Sequence, residues 1–177
     1  MSRSLASRPS ALPKPVFVTA YGGIYEHSPW VAEGAWAAVE AGRAETPEAM
    51  AAAMAAVVDA APREQQLALI RAHPELAGRA AIAGDMAEAS KREQSGAGLD
   101  QCSREEFDAF RRLNAGYNSK FGFPFIIAVK GLGRADILEA FERRLHNDPD
   151  TEFAEALAQI HRIAAFRLSA LMDHDPK

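Results

Sequence analysis

The sequence of 177 residues contains one cysteine, Cys102, and therefore no internal disulfide bond. Small secreted domains usually depend on disulfides, so a single thiol favours a reducing compartment. No apolar stretch approaches the roughly 20 residues that a membrane-spanning helix needs. The basic N-terminal stretch also lacks the apolar core of a secretory signal. These absences predict a cytoplasmic protein without a membrane partner.

The sequence also lacks an excess of basic charge and the common cofactor motifs. The net charge of −4 argues against a nucleic-acid partner. The five histidines are not spaced as metal ligands, and no glycine-rich phosphate loop follows a strand. We therefore expect neither a metal nor a cofactor. The chain is 48% hydrophobic and 25% charged, proportions that predict a globular protein with a core of its own.

The helix signals are plentiful. Proline follows a capping residue at Ser28-Pro29 and Thr46-Pro47, and SREE from Ser103 is a capping box. The run FGFPFIIAVKG resembles a strand, but one run cannot form a sheet, so we expect a buried extended connector. The prediction is an all-α, single-domain bundle of about seven or eight helices over residues 21–177. Residues 1–20 are predicted to form an extended N-terminal arm.

His73 is the first candidate for chemistry, because it lies directly before Pro74 at the predicted end of a helix. Proline restricts the backbone of the preceding residue and has no amide hydrogen, so the imidazole should project from a stiff helix end. An ordinary histidine pKa of about 6.5 suits proton transfer at neutral pH. The alternative is a surface or capping histidine, since helix C-termini favour cationic side chains.

The run SKREQ supplies a second group of candidates. Ser90 and Glu93 are three residues apart, which places them on one helical face, and Gln94 lies beside them. Ser-x-x-Glu is equally the pattern of a helix capping box. A role in binding and a role in capping therefore both stay open.

The third candidate is an arginine on the last predicted helix. That helix carries an apolar stripe made of Ile160, Ala164, Leu168 and Leu171. At 100° per residue Arg167 points into the stripe, whereas Arg162 points away from it. A buried guanidinium is costly unless it meets an anion or hydrogen-bond acceptors. Arg167 is therefore interpreted either as a ligand-binding group or as a side chain that extends to the solvent.

Five blocks of the sequence resemble one family in order and spacing, over roughly residues 20 to 172. They are YEHSPWVAEGAW, AHPELAG, SKREQSGAGL, LNAGYNSKFGFPFIIAVKG and IHRIAAFRL. The family is 2-oxo-4-hydroxy-4-carboxy-5-ureidoimidazoline (OHCU) decarboxylase. The resemblance implies an all-α, cofactor-independent enzyme, commonly a homodimer, that forms (S)-allantoin and CO2 late in urate breakdown.

The resemblance also implies roles for individual residues. Catalytic roles fall on His73 and Glu93, and substrate contacts fall on Pro74, Ser90, Gln94, Phe125, Ile127 and Arg167. A cofactor-free ureide hydrolase would grip the same N–H and C=O groups, and a non-catalytic helical binding module is a further alternative. Release of CO2 distinguishes the decarboxylase from the hydrolase, and a dispensable His73 would favour the binding module.

Overall fold

A computed structural model describes residues 8–78 and 86–173. Within these ranges the chain forms eight α-helices and no strand, which confirms the all-α prediction. The helices are α1 (Lys14–Tyr21), α2 (Trp30–Glu40), α3 (Pro47–Asp59), α4 (Arg63–Ala72), α5 (Glu88–Gly96), α6 (Arg104–Phe121), α7 (Arg134–Arg144) and α8 (Pro149–Met172). Short 3₁₀ turns lie at Pro9–Ala11 and Leu99–Gln101. None of the helices in the described ranges is both long and apolar enough to cross a membrane.

The chain divides into two compact units, with the divisions inside α4 and α8. The first unit contains the residues up to Leu69 and those from His161 onward, and so includes α1, α2 and α3. Gly34 allows α2 and α3 to approach closely, because a Cβ atom there would lie 2.6 Å from a methyl group of Val57. The core of this unit is apolar and includes Phe17, Val39, Met50, Met54 and Val58.

The second unit runs from Ile70 to Ile160 and contains α5, α6 and α7. Its core is aromatic. The rings of Phe125 and Phe141 stack with centroids 3.9 Å apart, and Tyr117 packs edge-on against both. Such pairs add about 0.5–1.5 kcal/mol each beyond the burial of their surface. The cluster anchors the segment that contains Phe125, which the sequence predicts to be a buried extended connector.

Most predicted helix ends agree with the structure, but the predicted cap at Ser28 is wrong, since its hydroxyl donates to the carbonyl of Glu26 instead. Thr46 caps α3 by accepting a hydrogen bond from the N–H of Ala49, and Ser103 forms the predicted capping box with Glu106. Asp148 caps α8 through the N–H groups of its first turn. α4 ends at Ala72, as expected for a helix that meets proline two residues later.

The prediction of an extended arm through residue 20 is wrong for residues 14–20, which belong to α1. Residues 1–7 lie outside the described residues. Pro15 occupies the first turn of α1, where a helix needs no amide hydrogen, so this proline is compatible with the helix. Phe17 and Tyr21, four residues apart, bury one face of α1. The division into an arm and a domain stays a prediction.

Candidate functional site

His73 lies just beyond the end of α4 and is buried, with 7% of its surface exposed. Its backbone N–H donates to the carbonyl of Ile70 at 3.2 Å, which continues the last turn of the helix. Pro74 then prevents the helix from going further. A buried histidine in this position is inconsistent with the alternative of a surface histidine.

The turn after His73 is fastened to α5 by the side chain of Gln94. The Oε1 atom of Gln94 accepts a hydrogen bond from the N–H of Ala77 at 3.1 Å. Its Nε2 atom donates to the carbonyl of Glu75 at 3.2 Å. Gln94 is itself buried, so its carboxamide replaces water for two backbone groups of the turn.

Two asparagines of α6 hold the same turn from another side. The Nδ2 atom of Asn114 donates to the carbonyl of Leu76 at 2.9 Å. Asn118 donates to the carboxylate of Glu75. Ala77 has a φ of 49°, in the left-handed region that residues with a Cβ rarely adopt. Neither asparagine was predicted from the sequence, although two amides in LNAGYNSKF on a mostly buried helical face were an available signal.

Ser90 and Glu93 both lie on α5, as predicted. The helix begins after Ala87, which makes no side-chain capping hydrogen bond, so Ser90 is the third residue of the helix and is buried. The capping-box interpretation of Ser90 and Glu93 is therefore wrong. The hydroxyl of Ser90 and the carboxylate of Glu93 lie three residues apart on α5. Gln94 of the same helix hydrogen-bonds to the turn after His73.

The connector that contains Phe125 runs from residue 124 to 129 without helix, turn or bend. The ring of Phe125 is completely buried in the aromatic cluster. The guanidinium of Arg144 lies over this ring, 4.3 Å from its centroid. Because the ring is buried, the group that this position can present to a ligand is its backbone.

One backbone edge of the connector is occupied by side chains. Arg144 donates to the carbonyl of Ile126 at 2.6 Å, and the N–H of Ala128 donates to Gln159 at 2.9 Å. Successive residues of an extended chain direct their backbone groups to opposite edges. Ile127 therefore faces the other edge, and no residue of the described ranges hydrogen-bonds its N–H or C=O group.

Arg144 is held beside the connector by a buried polar network. It forms an ion pair with Glu152, which also accepts a hydrogen bond from the hydroxyl of Tyr117. Burial, together with the Glu152 carboxylate, raises the pKa of Tyr117 well above its usual value. The phenol therefore stays protonated and remains a donor to Glu152.

Arg167 lies on α8 with its side chain 9% exposed, whereas Arg162 is exposed. This confirms the predicted orientation of both and contradicts the alternative of an Arg167 side chain that reaches the solvent. Its Nη1 atom donates to the Oε2 atom of Glu26 at 3.0 Å and to the carbonyl of Ile24 at 3.2 Å. Glu26 was not predicted from the sequence, although the need of a buried arginine for an anion was a signal for such a partner.

The predicted residues thus fall in both units. His73, Pro74, Ser90, Glu93, Gln94, Phe125 and Ile127 belong to the second unit, and Arg167 belongs to the first. In the second unit, contacts of Gln94 bring α5 against the turn after His73. In the first unit, the guanidinium of Arg167 is held by its hydrogen bond to Glu26.

These features define an all-α protein with a buried histidine fixed at a helix end beside a polar helical face. The sequence profile of the OHCU decarboxylase family matches residues 10–169. The chain therefore belongs to the OHCU decarboxylase family, and the predicted resemblance is confirmed. It is 45% identical over 157 residues to the 2-oxo-4-hydroxy-4-carboxy-5-ureidoimidazoline decarboxylase of Haloferax volcanii, covering 86% of this chain and 87% of that relative.

Solved structures give the same relationship. A crystal structure of (S)-allantoin synthase matches with a TM-score of 0.76 and 33% identity, over 93% of this chain and 53% of that one. A crystal structure of OHCU decarboxylase in the presence of (S)-allantoin matches with a TM-score of 0.59 and 26% identity. That match covers 72% of this chain and 82% of the other.

Proposed function

We propose that this chain decarboxylates 2-oxo-4-hydroxy-4-carboxy-5-ureidoimidazoline to (S)-allantoin and CO2. The observation that carries the proposal is membership of the OHCU decarboxylase family over residues 10–169, a range that includes the fixed His73 turn. We further expect a cytoplasmic location, as the sequence predicts, and a homodimer, as the resemblance to the family implies.

The substrate needs little from a catalyst besides orientation and proton transfer. The carbon that loses CO2 carries a hydroxyl group and adjoins a C=N bond. When the bond to the carboxylate breaks, its electron pair flows into that C=N bond, and the nitrogen gains a proton. The hydroxyl group then loses its proton to become the carbonyl of allantoin, and a proton is added to the carbon that bears the ureido group.

His73 is assigned the proton transfer at the hydroxyl group. General acid–base groups typically contribute about 10²–10⁴-fold to a rate, provided that they are held within hydrogen-bond reach of the proton. The pre-proline position gives His73 a fixed backbone from which to act, and so do the three amide side chains that hydrogen-bond to the following turn, Gln94, Asn114 and Asn118. Addition of the last proton to one face yields the (S) product.

The N–H groups of the ureido chain and of the ring require acceptors. The carboxylate of Glu93 and the hydroxyl of Ser90 supply these acceptors from α5. Glu93 is also assigned a catalytic role, because it holds the substrate in the orientation from which CO2 leaves. The open backbone edge at Ile127 supplies one more donor and one more acceptor. Pro74, Phe125 and Gln94 are assigned to the pocket lining, and Arg167 donates to an oxygen of the substrate, as the resemblance implies.

The direct test couples the protein to a source of its unstable substrate. Urate is oxidised with urate oxidase and hydroxyisourate hydrolase, and CO2 release is followed with and without the protein. We expect the protein to accelerate CO2 release in step with loss of the substrate. Faster substrate loss without CO2 would indicate a ureide hydrolase, and no acceleration would contradict the proposal.

A further inference from the structure

Glu26 is almost completely buried, with 2% of its surface exposed, although it lies in the connection between α1 and α2. Its carboxylate accepts a hydrogen bond from the guanidinium of Arg167 at 3.0 Å. Two opposite charges in contact and shielded from water compensate each other strongly. Arg167 therefore has a counter-ion within the protein before a substrate binds.

The segment that carries Glu26 is fastened to α8 at a second point. The hydroxyl of Tyr25 and the Nδ1 atom of His161 are hydrogen-bonded at 2.8 Å. The Nε2 atom of His161 is 3.1 Å from a carboxylate oxygen of Asp59. Burial, with a smaller effect of Asp59, raises the pKa of Tyr25, so the phenol stays protonated. The residue next to Glu26 is thus anchored six residues from Arg167 on the same helix.

The backbone that follows Glu26 adopts an unusual conformation. His27 has a φ of 46°, which residues with a Cβ rarely adopt, and Ser28 donates from its hydroxyl to the carbonyl of Glu26 at 2.8 Å. A backbone conformation of this kind persists where the surroundings enforce it, and it is frequent at functional sites. It turns the chain so that Glu26 points inward while His27 stays exposed.

We propose that Glu26 is a positioning residue that orients Arg167 and makes it a donor to a neutral oxygen of the ligand rather than to a carboxylate. This inference rests on the proposed function, in which Arg167 binds the substrate. A guanidinium has five N–H donors, and Nη1 makes the contacts with both Glu26 and the carbonyl of Ile24, so the same group can also donate to a ring or ureido carbonyl of the ligand. A ligand carboxylate at the same place would add a second negative charge beside Glu26 in a site shielded from water.

This charge preference also suits the reaction. A cation bound directly to the carboxylate of the substrate would stabilise the reactant more than the transition state, in which that charge is leaving the group. An Arg167 that is compensated by Glu26 and directed to a carbonyl stabilises the charge that develops on the ring instead. The leaving carboxylate is then placed away from Arg167.

The test measures ligand charge preference, which a purely structural role of Glu26 would leave unchanged. Binding of (S)-allantoin, a neutral ureide, and of allantoate, its ring-opened carboxylate, is measured by calorimetry with the wild type and with Glu26→Gln. We expect the wild type to bind allantoin more tightly than allantoate. Glu26→Gln should shift the ratio of the two affinities toward allantoate by at least about tenfold, because it removes one negative charge near the ligand.

Glu33→Gln is the matched control, since Glu33 is exposed in the first turn of α2 and should leave the ratio unchanged. A wild type that prefers allantoate or does not bind allantoin overturns the inference even if Glu26→Gln does not fold. An unchanged ratio in a folded Glu26→Gln also overturns it. Because wild-type CO2 release is measured separately, a failed ratio with normal turnover rejects the role of Glu26 and leaves the proposed function intact.

Discussion

The Oε1 atom of Gln94 accepts a hydrogen bond from the N–H of Ala77 at 3.1 Å, and this bond ties α5 to the turn after His73. The second end of the same carboxamide donates to the carbonyl of Glu75. Both ends of a side chain that the family resemblance assigns to substrate binding are therefore engaged with the protein backbone. We therefore expect Gln94 to act mainly through the turn that positions His73, besides lining the pocket.

Gln94→Leu should reduce both stability and kcat. The substitution leaves the Ala77 N–H and the Glu75 carbonyl without the carboxamide, and an unsatisfied buried group such as the Ala77 N–H costs about 1–3 kcal/mol. A mobile turn misplaces His73, so kcat should fall more than KM rises. Thermal unfolding and steady-state kinetics test this, with Gln101→Leu at an exposed position as the control. A higher KM at unchanged stability would instead favour direct contact with the substrate.

His73→Asn should fold like the wild type and lose about 10²–10⁴-fold in turnover, because the amide preserves polarity but cannot exchange a proton near neutral pH. His146→Asn is the matched control, since His146 is exposed just beyond the end of α7. The rates of substrate loss are compared at equal concentrations of folded protein. Turnover of His73→Asn within a few-fold of the wild type would remove the histidine from the mechanism.

Glu93→Gln should weaken binding and slow turnover while the melting temperature stays near that of the wild type. The neutral amide keeps the shape of the side chain but is a poorer acceptor for ureido N–H groups. The structure excludes a capping role, because α5 begins after Ala87 and makes no side-chain cap. Loss of stability with unchanged kinetics would show that Glu93 has a structural role.

Arg167→Met should destabilise the protein by about 3–5 kcal/mol, because it leaves the buried carboxylate of Glu26 without its guanidinium. The sequence alone predicts the opposite, since a buried arginine with no partner would be better replaced by an apolar side chain. Arg162→Met on the same helix is the control and should change little, because Arg162 is exposed.

The double variant Arg167→Met with Glu26→Gln tests whether the buried carboxylate of Glu26 causes this loss of stability. The free energies of unfolding of the single and double variants are measured by chemical denaturation. It should recover much of the stability lost in Arg167→Met, because it removes the uncompensated carboxylate as well. Turnover should stay low in both variants, since neither has the guanidinium. Equal stability of the single and double variants would mean that the contact of Glu26 with Arg167 contributes little energy.

Local patterns predict much of this fold because they depend on neighbouring residues. The caps at Thr46 and Ser103 and the stop at His73 follow from hydrogen bonding and proline sterics within a few residues. The orientation of Arg167 follows equally from the helical repeat. α1 was not predicted, because the N-terminal stretch has three prolines and no helical period, yet Pro15 lies in the first turn of α1, where it is tolerated.

The remaining features depend on residues far apart in the sequence. Glu26 meets Arg167 across 141 positions, and Asn114 meets the turn after His73 across 38. No periodicity in one segment identifies such a partner. The chemistry limits the type of partner, an anion for a buried arginine and amides for a buried turn, but only the fold identifies the residue.

The most direct measurement of the central claim is circular dichroism of the allantoin formed from urate, urate oxidase and hydroxyisourate hydrolase when this protein is added. Spontaneous decay gives racemic allantoin and therefore no lasting signal. With the wild type we expect a rapid dichroic signal of (S)-allantoin that accompanies CO2 release and is absent with His73→Asn. An optically inactive product formed at the spontaneous rate in the presence of folded wild type would contradict the account.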